Sequence, residues 1–102
     1  ASFVDGAGGK SVLPSMWPLL KDLAGSIVVS LDEVAAAMRL TAERARVIAE
    51  GAAGCAVAAA TSGRAGIGKV VAVVSGGNID LATFASVVSS NPQSPISNPQ
   101  FR

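Results

Sequence analysis

The residues best placed to do chemistry lie in "VVAVVSGGNID", Val70 to Asp80. An apolar run ends there in Ser75, Gly76, Gly77 and Asn78, and a helix start follows at Asp80. Ligands of open α/β sheets bind at the carboxyl ends of strands, so this is where a site belongs. Adjacent glycines let another group approach the backbone without meeting a Cβ. The Ser75 hydroxyl can donate and accept a hydrogen bond, and the amides that open the next helix favour an anion. The same four residues also suit an ordinary tight turn capped by Asn78 or Asp80. "SGGN" lacks the lysine of a P-loop, so phosphate binding is weakly signalled.

Two further groups are candidates. Glu50, in "IAEGAAG", places a carboxylate between two apolar stretches and ahead of small residues. It reads either as a first-turn helix charge or, if it faces the crevice of Ser75, as a functional group. "VDGAGGKS" holds a polar, glycine-rich loop from Asp5 to Ser11, fit for a carboxylate or phosphate, or for a plain flexible connection. Other constellations fail. The chain has no histidine and one cysteine, which removes Ser–His and Cys–His pairs and leaves no metal-ligand cluster. Asp32 and Glu33 are adjacent carboxylates, but a helix start explains both.

The elements that position these residues follow from local signals. Residues 1–13 read as a glycine-rich loop. A short helix starts near Ser15, tolerates Pro18 in its first turn and stops at Gly25. "SIVVS", Ser26 to Ser30, is a strand candidate. "SLDE" then gives a capping box, with Ser30 as N-cap and Glu33 at N3. Leu31, Val34, Met38, Ala42 and Ala45 recur at helical spacing as an apolar face. Arg39, Glu43 and Arg46 fall on a solvated one, and the helix is expected to end near Val47 or Ile48. The pattern breaks at "EGAAG". "CAVAAATS", from Cys55, reads as a helix stopped by Gly63, poor enough in side-chain bulk for another backbone to come close. "RAGIGK" is a loop. "VVAVVS" has no polar alternation, as in a strand covered on both faces. Asp80 caps a helix through "LATFASVVSS".

The order is helix, strand, helix, helix, strand, helix, an α/β pattern. Two strands make a poor sheet, so the pattern is that of a segment of a larger α/β domain, incomplete as an independent sheet. Residues 1–90 form this domain part. Residues 91–102, rich in Pro, Asn and Ser, read as an extended or disordered tail.

Composition narrows the function. The 102 residues are 50% hydrophobic but 4% aromatic, so large anchors are few: Phe3, Trp17, Phe84, Phe101 and the leucines. Net charge is +1, with no basic run, which argues against nucleic acid. No apolar run reaches transmembrane length. A single Cys55 within an alanine run reads as a small buried hydrophobe and points to a reducing compartment.

Three segments together resemble pyridoxal-phosphate enzymes of fold type II, within the serine/threonine dehydratase and serine racemase group. "VVAVVSGGNIDL" is similar to the glycine-rich segment near their C-terminus. "AEGAAGCAVAAATSG" is similar to their "EGAGA"-type segment, and "DGAGGKSVLPSMWPLLKDLAGSIVVSLDEVAAAMRL" to their loop, short helix, strand and capped helix. The order agrees from about Val4 to Val88. The resemblance implies that Ser75 hydrogen-bonds the pyridine nitrogen of the cofactor. Gly76, Gly77 and Asn78 would shape the wall beside the ring, with Glu50 near it, and Gly6 and Ser11 would border the substrate pocket. It further implies deamination of L-serine or L-threonine in a cytoplasmic enzyme that is a homo-oligomer. A neutral hydroxyl at the ring nitrogen does not enforce a pyridinium, which suits β-elimination from a hydroxy amino acid.

Two features depart from the family. "EGAAG" moves the second glycine by one position. Lys10, Lys21 and Lys69 are the only lysines, and none sits in the family's lysine motif. A Schiff base needs that lysine, so this chain alone is not expected to be a competent dehydratase. The lysine-bearing N-terminal part of the same enzyme would be its partner. The alternatives are a segment of a serine racemase, a non-catalytic module that binds a ligand or protein, and a generic nucleotide-binding fragment.

Overall fold

The computed structural model describes residues 2–90, so the expected tail at 91–102 and Phe101 lie outside the described residues. Four helices appear among them: α1 (Trp17–Leu20), α2 (Leu31–Ala45), α3 (Gly51–Thr61) and α4 (Leu81–Ser90).

α2 begins as its sequence dictates. The Ser30 Oγ accepts from the Glu33 amide at 3.1 Å, and the Ser30 amide donates to Glu33 Oε1 at 2.9 Å. This reciprocal pair satisfies two amides that a helix start would leave open. Arg64 adds an ion pair to Glu33 Oε2 and donates to the Val28 carbonyl at 2.7 Å, tying the chain before α2 to the loop after α3. α4 starts in the same local way: Asp80 Oδ2 accepts from the Thr83 amide at 3.0 Å.

The Ser30 amide, with help from Arg64, holds the Glu33 carboxyl below its ordinary value of 4.5. A lowered folded-state value stabilises the fold above that ordinary value, and the stabilisation is lost as pH falls through the folded value. Denaturation midpoints measured from pH 7 to pH 3 should therefore fall on the acid side of 4.5, and Glu33→Gln should flatten that fall. Parallel acid limbs for both proteins would remove Glu33 as the cause.

The core is the α2–α3 contact. Val34 and Met38 are fully buried at 1% and 0% exposure, with Ala37 and Ala58 beside them. α3 carries glycine where α2 presses hardest: a Cβ on Gly54 would lie 2.9 Å from Met38 Cγ and 3.1 Å from Val34 Cγ1. The small residues thus let two helices approach closely, as expected. Phe3, Val29, Ile79, Phe84, Val87 and Val88 pack around this centre. α4 is docked by Arg39, which donates to the Val88 carbonyl at 2.8 Å and pairs with Glu43 at 3.0 Å. Arg39 is therefore an anchor rather than a purely solvated charge.

Several expectations are corrected. α2 ends at Ala45, two to three residues early, because Arg46 takes the left-handed conformation at φ 58°. Leu31 and Ala45 are exposed, so the buried face is narrower than its spacing implies. α3 starts at Gly51 and not at Cys55, absorbing the segment read as a break. α1 spans only Trp17–Leu20 and stops well before Gly25. A helix that short needs tertiary packing, yet Trp17 is exposed along with Leu19 and Leu23. Trp17 and these leucines are not core anchors.

The largest correction concerns the strands. Neither Ser26–Ser30 nor Val70–Val74 forms a strand, so the α/β sheet is not seen among the described residues. A strand exists only when its amides and carbonyls find a ladder partner, and these two segments do not pair. The run at Val70–Val74, read as covered on both faces, is open instead, with Val71 at 91% exposure, and in the Ser26–Ser30 segment Val28 is 83% exposed.

Candidate functional site

Three segments distant in sequence meet at the amino end of α3. Glu50 is the N-cap of that helix, in extended conformation at φ −75° and ψ 170°. Its amide donates to the Gly76 carbonyl at 3.1 Å, which joins residue 50 to the Ser75–Asn78 segment. Gly6 lies on the other side: a Cβ there would stand 3.1 Å from Ala52 Cβ and 3.9 Å from Glu50 Oε2. The Glu50 carboxylate therefore sits between the Gly6 loop and Gly76.

Each glycine at this junction has a local reason. A Cβ on Gly76 would lie 2.6 Å from Glu50 Oε1. One on Gly77 would overlap the Ile48 carbonyl, and one on Gly51 would overlap the Phe3 carbonyl. At Gly76 and Gly77 the space left by the missing side chain is thus filled by the chain's own atoms. The Ile79 amide then donates to the Gly77 carbonyl at 2.9 Å, turning the chain sharply into α4.

The side chain of Glu50 makes no capping hydrogen bond to α3, so the carboxylate is not consumed as a helix cap. It is half-buried, while Ser75 and Asn78 are exposed. A carboxylate, a hydroxyl and a carboxamide are thus carried on segments that one backbone hydrogen bond holds together. Ser11 is also exposed, and no hydrogen bond among the described residues ties it to Glu50 or to Ser75–Asn78. The Asp5 to Ser11 loop carries a turn in which the Gly8 amide donates to the Asp5 carbonyl at 3.3 Å.

The displaced glycine of "EGAAG" has a clear place. Gly54, in the first turn of α3, faces Met38 and Val34 in the core. Cys55 is a free thiol whose Sγ donates to the Gly51 carbonyl at 3.5 Å. Burial pushes that thiol up, and the half-buried side chain packs against the α2–α3 core. Sequence reasoning missed Ile48 and Phe3, whose carbonyls decide Gly77 and Gly51. No side-chain signal marks a residue that acts through its backbone.

Among the described residues no three metal-ligating side chains gather, and no helix is long and apolar enough to cross a membrane. The candidate site is a glycine-lined junction whose segments carry one carboxylate and two small polar side chains. No family model and no solved structure matches the chain. It is similar to an L-threonine ammonia-lyase of Geobacter sulfurreducens (strain ATCC 51573 / DSM 12127 / PCA), at 36% identity over 90 residues. That alignment takes in 85% of this chain and 22% of the ammonia-lyase, so the chain spans less than a quarter of that relative's length.

Proposed function

We propose that the chain is the C-terminal segment of a pyridoxal-phosphate-dependent L-threonine or L-serine ammonia-lyase, which yields a 2-oxo acid and ammonia. The observation that carries this reading is the junction of Glu50 with Gly76, formed within a stretch 36% identical to an L-threonine ammonia-lyase. In the complete enzyme the lysine-bearing N-terminal part supplies the Schiff base. The exposed Val28 and Val71 segments then gain strand partners there, which gives their open β-branched residues a cover.

The residues present fit the ring side of the cofactor. Ser75 is exposed at the end of its apolar run, and the Glu50 carboxylate is left free by its own helix. Pyridoxal phosphate, when bound, withdraws electron density from the α-carbon of a hydroxy amino acid and so eases loss of its α-proton and β-hydroxyl. Ser75 would donate a hydrogen bond to the pyridine nitrogen. As a neutral donor it leaves that nitrogen unprotonated and moderates the withdrawal. Gly76, Gly77 and Asn78 would border the ring, and Glu50 would stand near its edge.

The test uses the complete polypeptide that carries this segment. It should turn over L-threonine to a 2-oxo acid in a pyridoxal-phosphate-dependent way. Ser75→Ala should lower kcat/KM about tenfold, the worth of one hydrogen bond, with unchanged melting. Unaltered kinetics in that variant would take Ser75 out of the site. Absence of any turnover of L-threonine or L-serine by the wild type would refute the lyase reading.

A further inference from the structure

We propose that Gly76 is a positioning residue whose missing side chain sets the place of the Glu50 carboxylate. The inference rests on the reading of Glu50 as a pocket group.

Glu50 is anchored at its backbone by the residue that lies under its carboxylate. Its amide donates to the Gly76 carbonyl at 3.1 Å, and a Cβ on Gly76 would come within 2.6 Å of Oε1 and 3.7 Å of Cδ. No capping bond to α3 holds the carboxylate elsewhere. Gly6 is near the other oxygen without crowding it: a Cβ there would stand 3.9 Å from Oε2, an ordinary contact. Gly76 alone thus leaves the carboxylate the room it occupies; at Gly6 the close neighbour is Ala52 Cβ at 3.1 Å.

The three glycines of the junction whose added Cβ would overlap a neighbour, Gly51, Gly76 and Gly77, differ in what that methyl group would meet. At Gly77 and Gly51 the obstacle is a backbone carbonyl, of Ile48 and of Phe3. Backbone in a packed crossing cannot step aside without breaking the hydrogen bonds around it. At Gly76 the obstacle is the far end of a flexible side chain. A rotamer change relieves the overlap, so the fold survives and the carboxylate moves. Gly77 and Gly51 are required by the fold, whereas Gly76 is required by Glu50. A group displaced by about an ångström can lose roughly 100-fold in rate, so a small shift here has a large readout.

The experiment takes the complete protein with Gly76→Ala, Glu50→Ala and both together. In the cofactor-free form, Gly76→Ala should lower Tm by about 2–4 °C when Glu50 is present and leave it unchanged when Glu50 is alanine. In the loaded form with L-threonine, Gly76→Ala should lower kcat by roughly 10- to 100-fold, with no further fall on top of Glu50→Ala. An equal loss of Tm in both backgrounds would overturn the proposal, since the methyl group would then be meeting something other than the carboxylate. If Gly76→Ala does not fold, folding of the double variant supports the proposal and its failure to fold overturns it. Coupled Tm values with turnover unmoved in every variant would keep Gly76 as the seat of Glu50. They would instead refute Glu50 as a pocket group.

Discussion

Gly77→Ala is expected to destabilise the protein by about 2–4 kcal/mol, far more than Gly76→Ala one position earlier. A Cβ on Gly77 overlaps the Ile48 carbonyl, which belongs to the short extended stretch between α2 and α3. That stretch is already committed on both sides. Arg46 closes α2 in a left-handed conformation, and the Glu50 amide bonds the Gly76 carbonyl at 3.1 Å. Separating Ile48 from residue 77 by the needed distance would stretch the Glu50–Gly76 bond as well. The cost therefore combines overpacking with a lost hydrogen bond. Denaturant titration of the purified protein would show it as a lower midpoint. A midpoint shift matching that of Gly76→Ala would mean that the two segments do not cross as described. The site would suffer with the fold, because the same crossing brings Glu50 to Ser75–Asn78.

Met38→Ala is expected to cost about 2–5 kcal/mol, the range for truncating a fully buried large side chain. Met38 is 0% exposed and lies against the position where α3 has only Gly54. Nothing on α3 can fill the gap, because the helix contributes small residues along that face. Gly54→Ala tests the same contact from the other side: its methyl would press on Met38 Cγ at 2.9 Å. The double variant should be more stable than the sum of the single losses predicts, since the added methyl occupies part of the vacated volume. Strict additivity would show that the two positions do not touch. The Gly54 amide donates to the Glu50 carbonyl at 2.9 Å, so a loosened α3 also loosens the carboxylate one turn away.

What the sequence by itself determined is what a few neighbouring residues can settle. The starts of α2 and α4 are legible because Ser30 with Glu33, and Asp80 with Thr83, complete their hydrogen bonds within three residues. Ser75 to Asn78, Glu50 and the Gly6 loop stand out as candidates because their residue types are unusual beside apolar runs. The similarity to an L-threonine ammonia-lyase spans 85% of the chain without giving their geometry. The tertiary structure decided the rest. α3 begins with glycine, a poor helix former, because the Phe3 carbonyl leaves no room for a side chain on Gly51. Local propensity cannot see a carbonyl 48 residues away. Val70–Val74 and Ser26–Ser30 have the composition of strands, yet pairing depends on partners that no local pattern supplies, and among the described residues they have none. The meeting of Gly6, Glu50 and Gly76 is likewise a product of packing. α3 settles on α2 through Gly54 and Met38, and that places residue 50 within one hydrogen bond of residue 76.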